Sequence, residues 1–102
     1  MPIKGTLFPW DKTNVYLVEA ESATFALYHD NKLIYIGSTS DLSKTFREYW
    51  ESKFNNKSCL KITNNYRREY RSDYQERADR LLREYKKMHG KLPRCNNSVE
   101  SD

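Results

Sequence analysis

The chain has 102 residues, of which 37% are hydrophobic and 31% charged, and this size fits one domain with a single core. It contains no run of about 20 apolar residues and no signal-peptide pattern, so we expect no membrane partner and a cytoplasmic location. Charge is uneven, because residues 1–60 carry seven basic and seven acidic side chains, whereas residues 61–94 carry eleven and five, a net of +6. A basic half permits a nucleic-acid partner but is also typical of a solvated surface.

The first predicted segment, residues 1–12, is an irregular arm that packs the ring of Trp10 onto the rest of the chain. Short strands are then predicted over residues 13–17, 25–28 and 33–36. The last two bracket the turn His29-Asp30-Asn31-Lys32, which is typical of a β-hairpin.

A helix is predicted to begin after Ser40 or Asp41, either of which is a suitable N-cap, and to end near Phe54. Its apolar residues recur at helical spacing and predict a face that packs on the core: Leu42, Phe46, Tyr49 and Trp50. Residues 55–58 are typical of a turn. Residues 59–62 alternate in polarity, which favours a short strand or a sheet edge.

The most strongly marked helix covers residues 73–89. Ser72 and Gln75 have the spacing of a capping box, and Gly90 followed by Pro93 is typical of a helix end. Residues 97–102 are polar and predict a frayed tail. Together the elements predict an α+β fold, with a small three-stranded antiparallel sheet flanked by helices.

The two cysteines, Cys59 and Cys95, are too few for a disulfide framework and lack the spacing of metal ligands. We expect both to be reduced thiols that pack as small apolar side chains, as is usual in cytosolic proteins.

Two short motifs carry a resemblance to a known family. The first is Tyr28 followed after six residues by Tyr35-Ile36-Gly37, and the second is the ending Leu92-Pro93-Arg94-Cys95-Asn96. On these residues the chain resembles the small single-domain branch of the GIY-YIG nuclease superfamily over about residues 13–96. The resemblance implies an endonuclease domain that hydrolyses DNA phosphodiesters with a divalent metal, Mg²⁺ or Mn²⁺ in active relatives.

The resemblance assigns catalytic positions to Tyr28, Tyr35, Gly37 and Asn96. The helix after the motif departs from the family, because Thr45 stands at the position of a phosphate-binding arginine and Tyr49 at a position that is often histidine. A threonine cannot replace the charged, bidentate guanidinium group. Buried strand tyrosines and turn asparagines are also common structural residues, so Tyr28, Tyr35 and Asn96 keep that alternative.

The metal position also departs from the family. Ala78 stands where relatives carry the metal-binding glutamate, and alanine offers no oxygen ligand. Asp79 is the nearest alternative ligand. As a purely structural residue, Ala78 would lie on the apolar face of an amphipathic helix. We expect that no metal is bound.

These departures leave three interpretations open, of which the third is a purely structural scaffold whose basic half only keeps it in solution. The first is a GIY-YIG-type DNA endonuclease domain whose activity is lost or severely impaired. The second is a non-catalytic module that binds nucleic acid or protein with the same surface. The side chains expected to contact phosphates are Lys44, Arg47, Arg67, Arg68, Arg71 and Arg94.

Overall fold

A computed structural model describes residues 3–52 and 58–99. Within these ranges the core element is one antiparallel sheet with strand order β1-β4-β2-β3, formed by β1 Phe8–Pro9, β2 Ala23–His29, β3 Lys32–Thr39 and β4 Asn65–Tyr70. The helices are α1 Lys12–Tyr16, α2 Leu42–Ser52, a 3₁₀ helix at Ser58–Ile62, α3 Tyr74–His89 and α4 Arg94–Val99. The α+β class is confirmed, and the sheet has four strands where three were predicted.

The predicted hairpin is present and contains one irregularity. Asp30 and Asn31 both have positive φ, 50° and 67°, as a two-residue type I′ turn requires. Leu27 pairs with Tyr35 while Tyr28 pairs with Leu33. Ile34 is therefore the extra residue of a β-bulge, and the bulge shifts the facing of the rest of β3 by one residue.

Two strand predictions are wrong, and the strand β4 was missed. The first predicted strand, residues 13–17, falls mostly in α1, where Asp11 caps the helix by accepting a hydrogen bond from the Asn14 N–H. The predicted strand at residues 59–62 is the 3₁₀ helix. Residues 65–70 were not predicted as a strand, yet β4 pairs with both β1 and β2 and lies inside the sheet.

The first face of the sheet holds the larger core. Buried Ala23, Phe25, Leu27 and Tyr66 pack there against α1, α2 and the 3₁₀ helix through Val15, Leu42, Phe46 and Leu60. Trp10 joins this core as predicted, with its ring 5.0 Å from that of Phe46 and edge-on to it. Burial of this aromatic and aliphatic surface is the main stabilising contribution to the α2 side of the molecule.

The second face is covered by α3. Ala26, Tyr28 and Ile36 pack there against Ala78 and Leu81, together with Ile3. The capping-box prediction is wrong: Asp73 is the N-cap residue and its side chain makes no cap hydrogen bond, because it binds the Arg71 guanidinium. The predicted C-terminal end is confirmed, since Gly90 adopts the left-handed conformation with φ 79°.

The C-terminal segment is tied to the first face by a disulfide. Cys59 of the 3₁₀ helix is bonded to Cys95 of α4, so the expectation of reduced thiols is wrong. The tail prediction is corrected in part, because residues 97–99 continue α4, and residues 100–102 lie outside the described ranges. The first three residues of the predicted turn at 55–58 and the predicted helix end at 53–54 also lie outside them, and Ser58 begins the 3₁₀ helix. No described helix has the length and apolarity needed to span a bilayer.

Candidate functional site

The residues that the family motif singles out on β3 and α2 meet on the first face of the sheet. Tyr35 and Tyr49 share a hydrogen bond between their side chains, and burial raises the pKa of both phenols. Both hydroxyls are therefore protonated at neutral pH. The pair can orient a neighbouring group through hydrogen bonds, but neither phenol is ionised and available as a base.

Gly37 is needed to accommodate the rings beside it. A Cβ at this position would lie 2.6 Å from Cζ of Phe25 and 2.8 Å from Cε2 of Tyr35. Phe25 pairs directly with Gly37 across β2 and β3, and its ring centre is 6.1 Å from that of Tyr35. Phe25 is thus the aromatic neighbour of Tyr35 that the motif did not reveal. Phe25 could have been predicted from the sequence, because it is two residues from Leu27 on β2 and such residues face the same side of a sheet.

Thr45 is tied to the end of β3. Its hydroxyl lies 2.7 Å from that of Thr39, and Thr39 also accepts a hydrogen bond from the Asp41 N–H. Asp41 in turn accepts a bond from the Lys44 N–H at 3.1 Å, which confirms Asp41 as a cap of α2. The position that would hold the phosphate-binding arginine is therefore occupied by a hydroxyl network that joins a strand to a helix.

Asn96 acts as a partner for the exposed edge of the sheet. Its side chain accepts a hydrogen bond from the Ile36 N–H at 2.9 Å and donates one to the Ile36 carbonyl at 3.0 Å. These two hydrogen bonds imitate those of a neighbouring strand and cover the edge of β3. Asn96 therefore lies beside the motif residues, and both the oxygen and the nitrogen of its amide are bonded to the Ile36 backbone.

Tyr28 does not join this group. It lies on the second face with Ala26 and Ile36, and its hydroxyl is 3.0 Å from an Arg67 nitrogen. The guanidinium carbon of Arg67 also lies 5.1 Å from the centre of the Tyr28 ring. The two motif tyrosines are therefore on opposite faces of the sheet and cannot act on one reacting group.

The predicted metal position does not suit a cation. Ala78 is 5% exposed and packs in the apolar cluster of the second face, and Asp79 points to solvent. Among the described residues, no group of three or more His, Cys, Asp or Glu side chains is arranged to hold a metal ion. A divalent cation needs several oxygen ligands converging on one point, and the residues around Ala78 do not supply them.

Most of the predicted phosphate contacts are engaged within the chain. Arg67 donates to the Gly5 carbonyl as well as to Tyr28, and Arg71 binds Glu69 and Asp73. Arg68 stacks on Phe8 and Tyr70, and Arg47 stacks on Tyr16 at 4.9 Å. Lys44 and Arg94 are exposed, and Arg94 also interacts within the chain. These six side chains are distributed over both faces and do not form one surface.

A buried ion pair on the second face was not predicted. Arg77 is 7% exposed and binds the Glu69 carboxylate with two nitrogens, at 3.0 and 3.3 Å. Burial raises the pKa of Glu69, but hydrogen bonds from Arg77, the Lys4 N–H and Arg71 outweigh it and hold the pKa below its usual value. The pair joins β4 to α3. It escaped prediction because β4 itself did.

Comparison of the chain with protein-family models, with curated proteins and with solved structures found no match. What the chain does must therefore be inferred from the arrangement of its own residues.

Proposed function

We propose that this chain is a GIY-YIG-type nuclease domain in which phosphodiester cleavage is absent or severely impaired. The observation that carries the proposal is the hydroxyl network of Thr45 and Thr39, one helical turn from the Tyr35–Tyr49 pair. A phosphate-binding guanidinium is needed where this network lies. Without it the developing negative charge of the phosphodiester has no preorganised cation beside it.

The metal position supports the same proposal. Ala78 is packed between α3 and the sheet, so neither metal-assisted activation of water nor charge neutralisation has a ligand at this position. Loss of one preorganised electrostatic group typically lowers kcat by about 10²–10³, and here two positions are substituted. When bound, the metal of active relatives would supply a Lewis acid, which none of the described residues of this site replaces.

The test is plasmid nicking in Mg²⁺ or Mn²⁺ by the full chain and by the variants Thr45→Arg and Thr45→Arg/Ala78→Glu. We expect no cleavage by the chain itself. Thr45→Arg restores a guanidinium one helical turn from Tyr49 and should give weak divalent-dependent nicking, to which Ala78→Glu adds nothing because Ala78 lies on the opposite face of the sheet. Ala78→Glu places a carboxylate in an apolar cluster, so near-UV circular dichroism must show that each variant is folded.

Cleavage by the unmodified chain would contradict the proposal. If folded Thr45→Arg does not cut either, the GIY-YIG assignment of this position is wrong.

A second function is favoured by the solvent-facing side of α3. Its exposed cations are Arg80, Arg83, Lys86 and Lys87, and no ion pair is formed by any of them within the described parts of the chain. Cations spaced three and four residues apart lie along one helix face. We infer that this face binds the phosphates of DNA or another nucleic acid without sequence preference.

Fluorescence anisotropy of a labelled duplex, measured against salt concentration, tests this inference. Arg80→Gln/Arg83→Gln/Lys87→Gln should weaken binding and reduce the salt slope by about 0.9 per lost phosphate contact. The matched control Lys12→Gln/Lys44→Gln/Arg47→Gln removes the same charge from α1 and α2. Equal losses in both triple variants would show attraction to net charge only and would contradict a specific α3 surface.

The cytoplasmic location remains a prediction, and the disulfide removes one reason for it. Disulfides persist in oxidising compartments and are rare in the cytosol. Alkylation of the protein at its source, followed by mass measurement, would decide whether the Cys59–Cys95 bond forms there. A fully alkylated chain would support the cytoplasmic prediction.

A further inference from the structure

A cleft lies on the second face of the sheet, between the β2–β3 hairpin and the C-terminal half of α3. It consists of two adjoining cavities of about 300 and 440 Å³. Leu33, Tyr85 and His89 line both of them and mark the boundary between them. The cleft is separate from the Tyr35–Tyr49 site, which lies on the first face.

The inner cavity is mainly apolar and has a few polar groups. Ile3, Ile36 and Leu81 form its floor, and the Tyr28 hydroxyl with its bound Arg67 guanidinium lies at one side. Glu84 and Asn31 also line it. Apolar walls with a small number of convergent donors and acceptors are characteristic of pockets for small organic groups, and about 300 Å³ is at the lower end of their size range.

The rings at the boundary offer a stacking surface. Tyr85 and His89 are one helical turn apart, with ring centres 4.2 Å apart and planes 37° from parallel. A planar nucleobase that enters between Leu33 and these rings would have an apolar contact on one side and an aromatic contact on the other. Base–aromatic stacking is tolerant of base identity.

The outer cavity is basic. It is lined by Lys32, Lys91 and Arg94 and by the imidazoles of His29 and His89. The acidic group beside it is Asp30, whose carboxylate is 3.3 Å from His29 and is 74% exposed. The inner cavity is lined by one cation, Arg67, and one carboxylate, Glu84. The outer cavity, with three cations, therefore attracts an anion more strongly than the inner one.

We propose that this cleft binds a single nucleotide unit, with the base in the inner cavity and the phosphate beside Lys32 and Lys91. The nucleotide is either free or the unpaired 5′-terminal residue of a strand. In the second case the site deepens the nucleic-acid binding proposed above and rests on it. In the first case it is independent of that function. Tyr28, which the motif singled out, then serves this cleft by holding Arg67.

Isothermal titration of the full chain with adenosine 5′-monophosphate, adenosine and inorganic phosphate tests the free nucleotide. The variant Lys32→Glu/Lys91→Glu reverses two exposed charges of the outer cavity, and Lys12→Glu/Lys44→Glu is the control with the same change in net charge on the other side of the sheet. We expect the first variant to bind the monophosphate at least about tenfold more weakly, because charged hydrogen bonds are lost. The control should bind it like the unmodified chain.

The base cavity has its own variant. Tyr85→Leu keeps an apolar side chain but removes the stacking ring, so it should weaken adenosine and adenosine 5′-monophosphate by the same factor. Equal affinity of the unmodified chain for adenosine 5′-monophosphate and for inorganic phosphate would overturn the base cavity. Equal affinity of Lys32→Glu/Lys91→Glu and the control for the monophosphate would overturn the phosphate position.

A 5′-phosphorylated single-stranded oligonucleotide and its unphosphorylated form distinguish the strand from the free nucleotide. A strand-bound site predicts preference for the phosphorylated oligonucleotide, lost in Lys32→Glu/Lys91→Glu and kept in the control. If both double variants weaken oligonucleotide binding equally, the cleft is overturned. The nucleic-acid binding proposed for α3 is not affected by that result. Binding of neither the oligonucleotide nor the monophosphate would overturn the cleft, whereas the duplex titration above decides the α3 surface separately.

Discussion

At the scale of single residues, the motif glycine shows how a family pattern can record packing as well as chemistry. Gly37 lies in a buried strand with its Cα against the rings of Phe25 and Tyr35, and its φ is not positive. The position therefore requires glycine for space, since any side chain would overlap two aromatic rings. A glycine at this point holds Tyr35 where its hydroxyl reaches Tyr49.

Gly37→Ala should lower the free energy of unfolding by about 1–3 kcal/mol, because the added methyl group forces two rings out of position. Urea unfolding followed by circular dichroism measures the loss. The second variant Phe25→Leu/Gly37→Ala makes room for the methyl group, and part of the loss should be recovered relative to Phe25→Leu alone. A Gly37→Ala chain as stable as the original would contradict the steric explanation.

Ionisation of Tyr66 should lower the stability of the fold at high pH. It is 2% exposed, donates a hydrogen bond to the Asn14 carbonyl at 2.7 Å, and burial raises its pKa to about 12. An unfolded tyrosine ionises near pH 10, which is about its unperturbed pKa. The folded chain thus retains a proton that the unfolded chain loses. The stability from this group is fully present below about pH 10 and is lost as pH rises to about 12.

Urea unfolding midpoints measured across this range should fall above about pH 10, and the fall should be smaller in Tyr66→Phe. The variant also loses the bond to Asn14, so it should be less stable by about 1 kcal/mol at neutral pH. An identical alkaline decline in Tyr66→Phe would show that other tyrosines govern it.

At the scale of elements, contacts distant in sequence override local preference. Residues 13–17 have strand-like side chains but form a helix capped by Asp11, whereas the basic segment 65–70 forms a strand between β1 and β2. β4 is held from both sides, and Glu69 on it receives Arg77 from α3. In the β2–β4 pair, such pairing depends on partners that are 37 to 47 residues away, which a local pattern does not show.

The disulfide connects the 3₁₀ helix to α4. Cys59 and Cys95 are 36 residues apart, so the bond closes a loop that contains β4 and α3. Reduction, or the variant Cys59→Ser/Cys95→Ser, should cost about 3 kcal/mol, since the unfolded chain regains the freedom of that loop. Urea unfolding with and without a thiol reductant measures this.

The double serine variant provides the control, because a reductant should not change its stability. Unchanged stability of the original chain on complete reduction, confirmed by alkylation, would contradict a structural role for the bond.

At the scale of the whole molecule, the sheet separates two sets of candidate site residues. α2, Thr45 and the Tyr35–Tyr49 pair lie on the first face, and α3, Ala78 and Tyr28 lie on the second. Opposite faces of a sheet present side chains in opposite directions, so groups on them do not share partners. The molecule therefore offers two separate surfaces.

This separation predicts additivity. Thr45→Arg loses one hydroxyl bond and should cost about 1 kcal/mol, whereas Ala78→Glu places a carboxylate in an apolar cluster and should cost about 3 kcal/mol. Because the two positions have no common neighbour, the double variant should equal the sum within about 0.5 kcal/mol. Urea unfolding of the original chain, the two single variants and the double variant completes a double-mutant cycle. A larger coupling energy would show that the two positions interact through the sheet.

Local chemistry determined a substantial part of the structure. The type I′ turn at Asp30-Asn31, the Asp41 cap, the apolar face of α2 and the left-handed end of α3 at Gly90 all follow from short-range preferences. The α+β class follows from the same patterns. Motif residues Tyr35, Gly37, Thr45 and Tyr49 were also found together, since a hairpin followed by a helix brings them to one place.

The facing of the two motif tyrosines was decided only in the tertiary structure. A regular hairpin through the Asp30-Asn31 turn would place Tyr28 and Tyr35 on the same face, and the single extra residue at Ile34 moves Tyr35 to the other. The disulfide and the position of β4 were also decided only in the tertiary structure. Each depends on where distant segments meet, and no local sequence preference contains that information.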